Sequence, residues 1–212
     1  MNDLKNSVEF MSTQFENLRG ELAQARSELR TTQIELQELK KENVNLRQEV
    51  NDLQQYTRRD NVMVFGVPET EEPIYDIIGN ISDAIGGSEL MEDISIAHRL
   101  PSKPGKTRPI VIRFSKRRSR EEWLRKFRNE AKKDDSGPGV STQRFNARMP
   151  VGRITAGDQL TTTTRNLLNS TRDAAQLKGY QFVWTRDGKV FARKNENSPV
   201  SRITCAQDVN NL

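Results

Sequence analysis

The sequence predicts an α+β protein: a long N-terminal parallel coiled coil, then a small domain of alternating strands and helices, then a helix-plus-hairpin unit. Three observations predict it. Apolar residues recur at alternating spacings of four and three from Leu4 to Leu53. Short alternating strands separate two helical stripes between residues 57 and 158, and an Asp187-Gly188 pair sits between two aromatic-rich strands. On this reading residues 1–56 are the coiled coil and 57–131 the first α/β domain, with 152–158 as a candidate last strand. Residues 132–151 are a linker and 152–212 the C-terminal α/β domain.

The coiled coil rests on an unbroken seam. Setting Val8 at heptad position a also places Phe15, Leu22, Leu29, Leu36, Asn43 and Val50 at a. Leu4, Met11, Leu18, Ala25, Thr32, Leu39, Leu46 and Leu53 then fall at d, with no proline in between. Position g holds Glu21, Glu28, Glu35, Glu42 and Glu49, while e holds Arg19, Arg26, Gln33, Lys40 and Arg47. A parallel, in-register pair sets Glu21 against Arg26, Glu35 against Lys40 and Glu42 against Arg47 of the other helix, all attractive; an antiparallel pair brings glutamate rows together. The charges select orientation and the seam supplies stability, since an exposed pair contributes only about 0.5 kcal/mol. The seam residues expected to hold copies together are Leu22, Leu29, Leu36, Leu39, Asn43, Leu46, Val50 and Leu53. Asn43 at a favours two strands; Ala25 and Thr32, weak d residues, leave a homotrimer open beside the parallel homodimer.

In the next domain, the run Asn61 to Pro68 reads as a strand that ends at its proline. Ile74, Ile77, Ile78, Ile81 and Ile85 keep helical spacing up to Gly86-Gly87. Ile94 to Leu100 and Ile110 to Phe114 alternate as strands around the basic loop 101–109, and Trp123, Leu124, Phe127 and Ala131 line a second helix with Ser119 and Glu122 as its expected capping box. This β-α-β-β-α order, with a last strand at 152–158, is that of a ferredoxin-like or RNA-recognition-motif fold. The Asp134 to Gly139 run reads as a mobile linker. In the last domain Leu160, Thr164, Leu167, Leu168, Thr171 and Ala175 make one helix face. The hairpin then sets Trp184 opposite Phe191 and Phe182 opposite Arg193. Tyr180, Phe182, Trp184, Arg186, Lys189, Phe191 and Arg193 share one face, readable either as base-stacking surface or as core packed on the preceding helix.

Composition points to a polyanion. Only 33% of the 212 residues are hydrophobic and the mean hydropathy is −0.80, too polar for one large core. Residues 1–56 carry 7 basic and 10 acidic groups, whereas the remainder carries 27 and 19. From Arg99 to Lys133 there are 14 basic and 3 acidic residues, a density that phosphates satisfy well. The residues expected to meet nucleic acid are Arg58, Arg59, Lys103, Lys106, Arg108, Arg113, Lys116, Arg117, Arg118, Arg120, Arg186, Lys189 and Arg193; Arg125, Lys126 and Arg128 add to the charge of the helix, and the alternative is a solvated basic face, in which Arg125 and Arg128 would be ordinary. The outward positions of 110–114 look like Val111 and Arg113 rather than aromatics, so phosphate contact is expected over base readout.

Other classes recede. Cys205 and His98 each stand alone, which excludes an internal disulfide and a Cys/His zinc cluster and suits a reducing compartment, cytoplasmic or nuclear. No stretch nears the ~20 apolar residues that span a bilayer, and the first 30 lack a signal-peptide core. His98 reads as an inner-face strand residue, and no phosphate-cradling glycine loop or spaced carboxylate set is present, so no enzyme, metal or other cofactor is expected. The expected partners are single-stranded RNA or DNA and further copies of the chain, with no membrane and no small-molecule substrate. The alternative is a coiled-coil adaptor whose basic body docks acidic proteins.

The run Tyr56 to Pro68 resembles the junction between coiled coil and domain in the baculoviral few-polyhedra (FP) protein family and its relatives in insect retrotransposons. Ala97 to Pro101, Arg108 to Phe114 and Tyr180 to Lys194 resemble later segments of that family, in order and spacing. More loosely the chain is similar to the first open-reading-frame protein of LINE-type retrotransposons. That likeness implies single-stranded RNA binding with nucleic-acid chaperone behaviour, and contact through Arg113 and the Arg117-Arg118 turn. Many transposon relatives carry an N-terminal zinc finger that this sequence lacks, so the resemblance implies a truncated or domesticated copy.

Overall fold

The computed structural model describes residues 2–133 and 137–212; residues 134–136 of the expected linker lie outside the described residues. The chain divides into two units, residues 1–50 and 51–212.

The first unit is a single helix, the greater part of α1 (Asn2–Thr57). Its large apolar seam residues are all exposed, between 49% and 75% from Leu4 to Val50. A solitary helix offers them nothing to pack on.

The second unit starts with the last turns of α1 and holds two layers of sheet and helix. β1 (Asn61–Phe65), β2 (Ile94–Arg99), β3 (Ile110–Phe114), β4 (Val140–Ser141) and β5 (Arg153–Asp158) form an antiparallel sheet in the order β2-β3-β1-β5-β4. Alternation decides which side chains meet the helices. Val62, Val64, Ile110, Ile112, Phe114 and Ile154 are buried with Ile77, Ile78 and Ile81 of α2 (Ile74–Ala84) and Trp123, Leu124 and Phe127 of α3 (Arg117–Ala131). Trp123 stacks on Phe127 at 5.5 Å between ring centroids, and its indole N–H donates to Ser82 Oγ at 2.9 Å, so the one polar atom of the ring is satisfied.

Three local expectations change. Ser119 does not cap α3; the helix starts at Arg117 after Lys116, and Ser119 Oγ instead donates to Asp93, tying α3 to the turn before β2. His98 is exposed, opposite Val111 on the sheet face away from the helices, because the irregularity between Ile94 and Ile96 resets the alternation of β2. Residues 137–151 are packed rather than loose. Val140 and Met149 are buried in the sheet core, β4 pairs with β5, and Thr142 Oγ1 donates to Pro150 O at 2.8 Å. The glycines and proline that suggest a linker instead make a tight return to β5, with Gly139 at φ +92°.

The C-terminal part comprises α4 (Thr162–Leu177), a three-stranded sheet of β6 (Phe182–Arg186), β7 (Lys189–Arg193) and β8 (Ser201–Ile203), and α5 (Ala206–Asn210). The hairpin register is the expected one, Trp184 opposite Phe191 and Phe182 opposite Arg193. Its turn needs left-handed backbone at two successive residues, supplied by Asp187 at φ +53° and Gly188 at φ +71°. The core is small: Leu168, Val190, Ala192, Ile203 and Val209. The hairpin therefore buries its aliphatic face, and Trp184 and Phe191 stack on the other side at 5.8 Å between centroids, with Phe182 40% exposed. Tyr180 is the exception, packing on that core and donating its hydroxyl to Leu212 O at 3.0 Å.

Candidate nucleic-acid interface

Two of the expected contact residues have structural occupations instead. Arg120 is buried, 5% exposed, and its guanidinium forms an ion pair with Asp158 at the end of β5. Buried charges persist where a partner and further hydrogen bonds satisfy them. Here the other carboxylate oxygen of Asp158 accepts the backbone N–H of Gly188 at 3.2 Å, so one carboxylate joins α3, β5 and the hairpin tip. Arg120 is thus unavailable to a ligand. A lysine or arginine in a basic helix does not reveal its burial; the signal lay in its place three residues before Trp123, on the inner stripe. Arg117 bridges Glu121 at 3.1 Å and Asp187 at 2.9 Å, and these hydrogen bonds raise its pKa further above the ordinary arginine value.

The remaining expected residues fall on separate surfaces. Lys103, Lys106 and Arg108 lie on the exposed β2–β3 loop, with Arg108 held by a fork of bonds to Glu69, the nearer at 2.8 Å. That pairing raises Arg108 and holds the Glu69 carboxyl below its usual range. Arg113 is exposed on the outer sheet face and Arg118 on the first turn of α3. Lys116 pairs with Asp93 at 2.8 Å, which raises its pKa. Arg58 donates to Gln54 O at 2.7 Å, and Arg59 lies 3.8 Å above the Tyr56 ring. Arg186 and Lys189 are exposed at the hairpin tip, and Arg193 donates to Ser198 O at 2.9 Å.

A better-formed site lies where the two parts of the second unit meet. β4 covers only Arg153 and Ile154, so Thr155 to Asp158 keep an open strand edge; β6 is likewise an edge strand. Between them runs an open cleft of about 800 Å³, lined by Phe65, Arg128, Arg165, Asn169, Arg172 and Trp184 among others. The three arginines come from two helices, and Arg165 sits 5.9 Å from the centroid of Phe65. Its walls thus offer cations for phosphates and ring faces for bases. Arg165, Asn169 and Arg172 lie off the apolar face of α4 that periodicity makes readable. Their spacing of four and three marks a polar stripe on another side of that helix.

A second hollow of about 440 Å³ lies beside the last turns of α1. Arg59, Arg117, Lys189 and Arg202 line it, with Tyr56, Asp52 and Asp187.

The α4–hairpin–α5 segment matches a known family. Residues 161–212 match the model of Baculovirus FP protein domain 2. No curated protein matches the chain. The FP domain 2 segment begins at Thr161, whose Oγ1 accepts the N–H of Thr164 at 3.1 Å and so caps α4; the match starts where the helix does. Arg165, Asn169, Arg172 and Trp184 of the cleft belong to the segment, whereas Phe65 and Arg128 precede it. Among the described residues no helix is long and apolar enough to cross a membrane, and no group of three or more His, Cys, Asp or Glu could hold a metal ion.

Proposed function

We propose that this chain is a non-enzymatic binder of single-stranded RNA or DNA that tolerates most sequences and gathers copies of itself through α1. The observation that carries the reading is the cleft, where Arg128, Arg165 and Arg172 stand beside the rings of Phe65 and Trp184. Phosphates would pair with the arginines while bases stack on the rings, a combination in which every base has a usable face. The sheet supports the same view. Its strands β2, β3, β1 and β5 follow the neighbour order of an RNA-recognition-motif-like domain, with Phe65 on a central strand as the aromatic that such sheets offer to bases.

Self-association rests on the exposed seam and its charge code. A parallel coiled coil would cover Leu22, Leu29, Leu36, Leu39, Leu46, Val50 and Leu53, with Asn43 fixing register. Several weak sites on one particle then act together, which suits a nucleic-acid chaperone of the retrotransposon type.

The test is anisotropy of a labelled single-stranded RNA across a salt series, with the full chain and with Arg165→Gln/Arg172→Gln. Each lost phosphate contact should flatten the log–log salt slope by roughly 0.7, so the double variant should lose about 1.4. Wild-type binding that is displaced by polyglutamate but not by polyuridine would instead support the adaptor for acidic proteins. For α1, sedimentation should show oligomers of the native chain and monomers of Leu36→Glu/Leu39→Glu.

A further inference from the structure

The hollow beside residues 51–59 has features that the cleft lacks. Its charged lining is Asp52, Arg59, Arg117, Asp187, Lys189 and Arg202; Arg59 stands 3.7 Å from Asp60 and Arg117 is held between Glu121 and Asp187, so among the described residues Lys189 and Arg202 are the lining cations in no ion pair. The cations come from four places in the chain: the turn after α1, the start of α3, β7 and β8. Two are already fixed in orientation. Arg59 lies 3.8 Å over the Tyr56 ring centroid, and Arg117 is held by Glu121 and Asp187. Side chains ordered in advance lose less freedom when an anion arrives.

We propose that this hollow is a site for a phosphomonoester dianion and, resting on the nucleic-acid reading above, that it takes the terminal phosphate of a bound strand. The charge decides the class. A phosphomonoester carries about −1.5 to −2 at pH 7, matching the two cations that no carboxylate holds, Lys189 and Arg202, whereas an internal phosphodiester carries only one negative charge. Asp52 and Asp187 in the lining oppose a long polyanion running through but tolerate a compact headgroup whose charge is met by Lys189 and Arg202. Lys189 and Arg202, on adjacent strands β7 and β8, would meet the phosphate oxygens, while Arg59 and Arg117 keep their own partners and line the opposite wall.

The full chain is tested in two arms. First, the ³¹P linewidth of uridine 5′-monophosphate is followed with native chain, Arg202→Gln and Arg165→Gln/Arg172→Gln, with dimethyl phosphate as the diester control. Arg202 is exposed on a short edge strand, so its replacement leaves the fold in place. The monoester should broaden with the native chain and the cleft variant, and not with Arg202→Gln; dimethyl phosphate should stay sharp. Equal behaviour of monoester and diester, or broadening abolished only by the cleft variant, overturns the site. Second, one oligonucleotide is compared with hydroxyl ends, a 5′-phosphate or a 3′-phosphate. One phosphorylated end should bind roughly ten- to a hundredfold tighter, the scale of one added charge-assisted contact, and Arg202→Gln should erase that ratio without weakening the hydroxyl-ended strand. A broadened monoester with no end preference overturns the strand-end assignment and leaves a site for free phosphomonoesters. A broadened monoester with no strand binding at all overturns the nucleic-acid reading and retains the site.

Discussion

The sheet region, residues 61–158, and the FP domain 2 segment, 161–212, place their rings on opposite sides of their cores. Phe114, Trp123 and Phe127 fill the space between sheet and helices in the first, and the largest buried side chains of the chain are there. In the second, Val190 and Ala192 face inward while Phe182, Trp184 and Phe191 face out. Aromatic side chains each cover 150–250 Å², and this segment leaves Trp184 and Phe191 half-buried and Phe182 exposed, so it draws less stabilisation from its rings than the sheet region does. What it keeps is a surface of rings bordered by arginines. On the proposed function the difference separates a scaffold from a binding part, and Arg120, Asp158 and Gly188 tie the segment to that scaffold.

That contrast can be broken most sharply with two tryptophans. Trp123→Ala should destabilise the fold by about 3–5 kcal/mol, enough to unfold much of the protein at 37 °C in a denaturant titration. Arg120→Gln, which leaves Asp158 buried without its cation, should cost about as much, on the order of 3–5 kcal/mol, although neither residue belongs to the apolar core. Trp184→Ala should shift the unfolding midpoint little and weaken single-strand binding by roughly 1–3 kcal/mol, measured by anisotropy. If it unfolds the chain as Trp123→Ala does, the rings are structural in both regions and the contrast is lost.

A smaller effect concerns acid. Glu130, at the end of α3, is buried; Lys133 at 2.7 Å and the Arg144 guanidinium hold its carboxyl below the usual range against the opposing effect of burial. A depressed folded-state pKa means that this contribution is fully present above the unfolded value of about 4.3 and is lost as pH falls through the folded value. Melting temperature should fall on acidification through that window, and Glu130→Gln should flatten the fall.

The sequence made the regular parts readable. The 4-3 seam of α1, the strands at 61–65 and 110–114 and the Asp187-Gly188 turn follow from periodicity and turn chemistry, which are local. The interface was less readable because its chemistry is not local. Phe65, Arg128, Arg165 and Trp184 are brought together only by the docking of two regions. Arg120 shows the reverse error. Its side chain resembles its basic neighbours, but one turn of helix phase and a distant Asp158 take it out of solvent. The packing of Val140 and Met149 was hidden by a polar, glycine-rich neighbourhood that looks like a linker unless the β5 edge it returns to is known.

Asp158 is the last residue of β5, yet both of its oxygens are committed elsewhere, one to an arginine of α3 and one to the amide at the tip of a hairpin thirty residues on. Gly188 sits at φ +71°, where other residues are strained, and a Cβ there would strike the Gln55 side chain. Residues 51–212 should accordingly melt in one cooperative transition, with heat capacity and tryptophan fluorescence reporting the same midpoint. The segment 161–212 cut free would have too little interior to persist, and would regain order only when supplied with the rest of the unit.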